Sequence, residues 1–174
     1  LSWKPTPDLL VYGSYSRGYK AGGFNLDRSA LSNPLAFDPA NISAAALQFD
    51  EETVDAYEIG LKYSTREFGV SIAGFRQEFS NFQLNTFNGA FYIVQTVNSC
   101  DSDLGGADRD ASATTGACSS DEVAPGLIAQ GVEIETYLRP ARDLDITLGV
   151  TYSDTSFEDN LIGDDTGAPL DPAL

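Results

Sequence analysis

The tightest constraint in this chain is a twofold alternation of apolar and polar side chains that recurs in five stretches, most cleanly from Leu144 to Asp154. Leu144, Ile146, Leu148, Val150 and Tyr152 alternate there with Asp145, Thr147, Gly149, Thr151 and Ser153. Successive side chains of a β-strand point to opposite faces, so the pattern predicts strands with one apolar and one polar face. A half-buried strand of a soluble sheet reads this way. So does a strand with lipid on one side and water on the other.

The connections separate the two readings. Leu1 to Lys4 reads as the end of a strand, and Pro5-Thr6-Pro7-Asp8 as a tight turn, because two prolines cannot donate to a ladder. Strands follow over about 9–20, 53–63, 68–79, 127–138 and 144–154. Turns at 5–8, 64–67 and 139–143 alternate with loops at 23–52, 85–126 and 155–174, which hold 30, 42 and at least 20 residues. Compact soluble domains rarely carry connections beyond about 12–15 residues. Outer-membrane barrels pair short periplasmic turns with long extracellular loops. The expected fold is therefore all-β: an antiparallel, up-and-down transmembrane β-barrel segment of about six strands, the first incomplete, with residues 1–174 forming a piece of one larger barrel domain. A porin-like barrel and a secreted β-sandwich remain as alternatives.

Three local expectations follow. The apolar set of the third strand moves from Phe68, Val70 and Ile72 to Phe75 and Phe79, which predicts a β-bulge at Gly74. Arg17 falls on the apolar face near a loop end, where it can snorkel. Glu58 and Lys62 share the polar face and predict ladders of opposite charge with neighbouring strands. Asn41 to Gln48 reads as a short helical turn inside the first loop.

The net charge of −16 argues against a nucleic-acid partner. The three long loops hold sixteen of the 26 acidic residues but only Arg28 and Arg109 among the 10 basic ones. With no His, no nucleophile–base arrangement, no metal-spaced Cys/His set and no phosphate loop, no catalytic residues, cofactor or metal site are expected. The pairs Asp101/Asp103, Asp108/Asp110 and Asp164/Asp165 read as solvated loop faces, with calcium as the alternative, although EF-hand spacing is lacking. Cys100 and Cys118, the two cysteines, lie in the longest loop. They read as a disulfide of an oxidising compartment, contributing about 3 kcal/mol by loop closure, or else as two unpaired thiols.

Three segments carry a resemblance: YSRGYKAGGFN (Tyr15 to Asn25), EETVDAYEIGLKY (Glu51 to Tyr63) and QGVEIE (Gln130 to Glu135). Together, and in this order, they resemble the barrel of TonB-dependent receptors, the energised outer-membrane transporters of Gram-negative bacteria. The resemblance covers the strands and turns of the whole chain, and the loops match nothing comparable. It implies a monomeric barrel of about 22 strands around an N-terminal plug that this chain lacks. It further implies a non-enzymatic transporter embedded in outer-membrane lipid and energised through TonB. Its small-molecule ligand would be a scarce nutrient, by default a ferric siderophore. Phe24, Phe37, Phe49, Phe87, Phe91 and Tyr92 are the candidate ligand contacts, since extracellular loops would cap the pore.

Overall fold

A computed structural model describes residues 1–26, 47–87, 92–102, 104 and 118–163. The strands are β1 (Ser2–Thr6), β2 (Leu9–Lys20), β3 (Gly23–Phe24), β4 (Gln48–Phe49), β5 (Glu52–Ser64), β6 (Phe68–Ser80), β7 (Phe82–Phe87), β8 (Tyr92–Cys100), β9 (Val123–Pro125), β10 (Leu127–Ala141), β11 (Leu144–Phe157) and β12 (Leu161–Ile162). They divide between two compact units. A strand unit comprises Leu1–Gly18, Asp55–Glu78 and Ile128–Ser156; a loop unit comprises Tyr19–Val54, Phe79–Leu127 and Phe157–Leu174.

The expected alternating strands form one antiparallel sheet of six, in the order β1-β2-β5-β6-β10-β11. Its turns are tighter than the sequence suggests. β1 runs through Pro5 to Thr6, leaving only Pro7 and Asp8 between it and β2. The register with β2 shifts between Trp3 and Thr6, and this irregularity on an edge strand accommodates a proline that cannot donate. Between β5 and β6, Thr65 closes the turn on itself: its amide donates to the Phe68 carbonyl (2.8 Å) and its Oγ1 accepts from the Phe68 amide (3.1 Å). Between β10 and β11 only Arg142 and Asp143 remain, flanked by an Arg139–Asp145 ion pair at 2.5 Å.

Contacts across the sheet fix its two faces. On the polar face the Tyr12 hydroxyl hydrogen-bonds Glu58, and Lys62 Nζ stands 5.5 Å from the Tyr12 ring centroid. Glu58 and Lys62 thus both reach the tyrosine of the neighbouring strand, and among the described residues neither joins the expected charge ladder through a salt bridge. A Cβ at Gly60 would lie 2.6 Å from that same ring, so glycine there makes room for tyrosine. Tyr137 likewise overlies Gly69 and donates to the Thr65 carbonyl at 2.6 Å.

On the opposite face Tyr15 packs against Tyr57 with ring centroids 5.3 Å apart, and Tyr63 against Phe68 at 6.3 Å. Much of the rest of that face is uncovered: Ile59 is 69% exposed, Leu148 60% and Tyr152 68%. A β-sandwich would bury these positions against a second sheet. This chain leaves them bare, which counts against that alternative. Arg17 on this face reaches Asp55 at 3.8 Å, and Tyr15 donates to the same carboxylate at 2.6 Å.

The expected bulge at Gly74 does not occur. The Phe75 ring lies over Gly131, and Tyr137 of the same strand lies over Gly69. Gly131 and Tyr137 are an even number of residues apart in β10, as are Gly69 and Phe75 in β6, so the phase is unbroken. The apolar pattern changes at Gly74 because Phe75 enters the polar face over a glycine, not because the strand slips.

The loop unit is more ordered than its sequence suggests. Residues 85–126, read as one loop, contribute half of β7 and all of β8 and β9. β8 pairs with β7 from Phe82↔Val97 to Phe87↔Tyr92, with β9 at Asn98–Cys100, and with β12 at Leu161↔Ser99 and Ile162↔Asn98. Ile93, Val97, Cys100, Leu127 and Ile162 are buried around it. Phe82 meets Phe79 and Phe157 edge-on, at 6.0 and 5.9 Å. The expected helical turn at 41–48 falls almost wholly outside the described residues.

Candidate ligand-binding site

β8 is where all three long connections meet, and polar side chains do the joining. Asn25, the last residue of the YSRGYKAGGFN motif, donates from Nδ2 to the Val94 carbonyl (2.9 Å) and accepts the Val94 amide on Oδ1 (2.8 Å). One side-chain amide thereby occupies both backbone groups of a strand residue, as a neighbouring strand would. Gln83 works similarly from β7: its Nε2 donates to the carbonyls of Ala21 and Asp50, both at 3.0 Å, while its own amide donates to Glu52 at 2.8 Å. Toward the third connection Thr96 Oγ1 of β8 donates to the Gly163 carbonyl (2.6 Å), while Asn160 accepts the Cys100 amide on its backbone carbonyl (2.9 Å) and the Leu104 amide on Oδ1 (3.1 Å).

Glycines at the start of the first connection serve close approach. A Cβ at Gly22 would lie 2.6 Å from the Phe49 carbonyl oxygen, and one at Gly23 2.8 Å from the Phe49 ring. Glycine at these two positions lets β3 and the chain leading into it pass against β4 and the residues after it.

On this frame stand the expected aromatic contacts. Phe87 and Tyr92, directly paired across β7 and β8, hold their ring centroids 5.0 Å apart at 42° and are 53% and 75% exposed. Phe24 on β3 is also exposed, whereas Phe49 on β4 is half-buried against Gly23. Phe37 and Phe91 lie outside the described residues. All six expected aromatics fall within the loop unit, and of the four described three present their rings to solvent.

Cys100 and Cys118 are within hydrogen-bonding reach of each other and unbridged in this structure. Burial, the adjacent Cys100 thiol and the carboxylates of Glu122 and Asp101 push the Cys118 thiol up to about 12. Ser102 Oγ donates to the Glu122 carboxylate beside them. Among the described residues no group of three or more His, Cys, Asp or Glu is placed to hold a metal ion. Of the acidic pairs considered for calcium, only Asp101 lies in the described residues.

Charge divides along the same boundary as the fold. The loop unit carries 16 acidic and three basic residues (Lys20, Arg28, Arg109), a net −13, and the strand unit 10 acidic and seven basic, a net −3. Sequence reading missed Asn25, Gln83, Asn98 and Asn160 as organising residues. Only Asn25 carried a visible signal, its place in the motif.

A six-stranded antiparallel sheet with a polar face, an uncovered apolar face and an ordered unit of long connections is the wall of a β-barrel. Residues 1–173 match the family described as TonB dependent receptor-like, beta-barrel, and the chain belongs to that family. Similar solved structures include the ferric yersiniabactin uptake receptor FyuA from Yersinia pestis (18% identity, 91% of this chain and 18% of that one, TM-score 0.53). Others are the alcaligin outer membrane receptor FauA from Bordetella pertussis (12%, 90% and 21%, 0.52) and the FrpB iron transporter from Neisseria meningitidis (16%, 90% and 19%, 0.50). At such identities the likeness concerns the fold. The chain spans about a fifth of the length of these structures. No curated protein matches it in sequence.

Proposed function

We propose that this chain is part of the wall and ligand-receiving loops of an outer-membrane transporter that imports a scarce nutrient, a ferric siderophore, using energy delivered through TonB to its own plug domain. The observation that carries the reading is the pairing of an exposed apolar strand face with an organised loop unit, in a chain that belongs to the receptor family. A soluble receptor has no use for the first, and a passive pore has little use for the second. Cells expressing the full-length receptor should accumulate iron from ferric siderophores, and collapsing the inner-membrane proton gradient should abolish that uptake. Uptake that survives the collapse would point to a passive pore.

Sidedness follows from antiparallel order, which sends alternate connections to opposite ends of the strands. Loops 23–52, 85–126 and 155–174 lie outside the cell, and the turns at Pro7–Asp8, Thr65–Glu67 and Arg142–Asp143 face the periplasm. A tag inserted near Gly106 should be labelled on intact cells and one at Thr65 only after permeabilisation. Labelling at Thr65 on intact cells would overturn the topology.

In that oxidising location Cys100 and Cys118 close a disulfide. Because the Cys118 thiol is pushed up to about 12, little thiolate exists near neutral pH in the reduced fold, and native alkylation is slow. Thiols must therefore be counted after unfolding without reductant. Mass spectrometry should then find neither cysteine alkylated, and two alkylated cysteines in exported protein would rule the bond out.

A further inference from the structure

We infer that three aromatic rings laid over glycines set the strand register at the two seams of the sheet that no tight turn fixes, and so determine which barrel this wall can close into. In the order β1-β2-β5-β6-β10-β11, three neighbouring pairs are joined by the turns at Pro7–Asp8, Thr65–Glu67 and Arg142–Asp143. A short turn fixes the register of its hairpin. The other two pairs, β2 with β5 and β6 with β10, are joined through residues 21–51 and 81–126, too long a connection to dictate register.

All three rings fall on these two seams. Tyr12 of β2 lies over Gly60 of β5, where a Cβ would stand 2.6 Å from the ring. Across β6 and β10 the arrangement is reciprocal: Phe75 of β6 covers Gly131 of β10, and Tyr137 of β10 covers Gly69 of β6. The Tyr137 hydroxyl continues past Gly69 to the Thr65 carbonyl (2.6 Å) and Ser64 Oγ (2.9 Å). Gly13, Gly74 and Gly149, by contrast, have no side chain within 4 Å of the position a Cβ would take.

Twofold alternation opposes a slip of one residue, which exchanges the faces, but is blind to a slip of two. The glycines oppose the second kind. Two residues from Gly60 stand Glu58 and Lys62, from Gly131 Ala129 and Glu133, and from Gly69 Glu67 and Ser71. A two-residue slip therefore drives each ring onto a side chain. Register also sets the stagger of a closed sheet, and with it strand tilt and bore. An error at either seam is an error in the lumen.

The test is disulfide capture in the full-length receptor as cells assemble it. Tyr15→Cys with Tyr57→Cys reports the native register of β2 and β5, since those rings pack 5.3 Å apart. Tyr15→Cys with Ile59→Cys or with Asp55→Cys reports a two-residue slip in either direction. The slipped product is read as a ratio to the native one, so a lower yield of barrel does not affect it. Tyr12→Ser, which removes the ring, and Gly60→Ala, which displaces it, should each raise that ratio about fivefold, the upper scale of one cross-strand pair. Tyr12→Phe keeps the ring without its hydrogen bond to Glu58 and should leave the ratio unchanged, as should Gly13→Ala on the same seam. An unchanged ratio in both Tyr12→Ser and Gly60→Ala overturns the inference, and so does an equal rise in Tyr12→Phe. If Gly60→Ala accumulates no barrel, Tyr12→Ser decides.

Discussion

Leu148→Arg is expected to weaken the assembled full-length receptor by about 2–4 kcal/mol, the cost of a guanidinium on the lipid face near the midplane of a membrane barrel. Leu148 stands in the central stretch of β11 (Leu144–Phe157) and is 60% exposed on the apolar face. Its neighbour Thr147 points to the other side of the same strand, where polar and charged residues already sit. Thr147→Arg should therefore be much milder. Urea unfolding in lipid vesicles, read by the heat-modifiable migration of barrels in gels, measures both. Equal losses at the two positions would remove the lipid-facing assignment.

The second large effect is expected at Asn98, which is 1% exposed and fully engaged with Asn81. Its Oδ1 accepts the Asn81 amide at 2.7 Å, and its Nδ2 donates to Asn81 Oδ1 at 2.6 Å. Asn81 separates β6 from β7 with φ at 51°, a left-handed conformation that asparagine tolerates better than most residues. Asn98→Leu keeps the volume and strands a buried donor and acceptor, at a cost of about 1–3 kcal/mol. That cost falls on the loop unit, where Asn98 is packed. Limited proteolysis of the full-length receptor should thus cut the loops faster while the urea midpoint of the barrel barely moves. Unchanged loop protection would mean that the two asparagines do not organise the unit.

The strands were legible in the sequence because twofold alternation is a local property, and Leu144 to Tyr152 shows it without interruption. The Gly74 expectation failed for a reason that no single strand contains. Phe75 occupies the polar face only because Gly131, fifty-six residues later, leaves it room. The strands inside the second loop escaped notice for a related reason. β8 buries Thr96, Asn98 and Ser99 beside Ile93 and Val97, and a run so rich in polar residues reads as solvent-exposed unless their partners are known. Those partners, Gly163, Asn81 and Pro125, lie in separate parts of the chain. The site aromatics were found through the family resemblance. The frame beneath them was not, because side-chain amides bonded to distant backbone leave no periodicity.

The bonding of Asn25, Gln83 and Asn160 into one unit has an evolutionary consequence. Surface loops usually drift independently, so that a stretch from one receptor can be exchanged for its counterpart in another. Here an altered first loop removes the cap from Val94, and an altered third loop withdraws the acceptor from Cys100 and Leu104. The heritable module is the set of three, and recombination that shuffles ligand preference among such receptors must carry all of it at once.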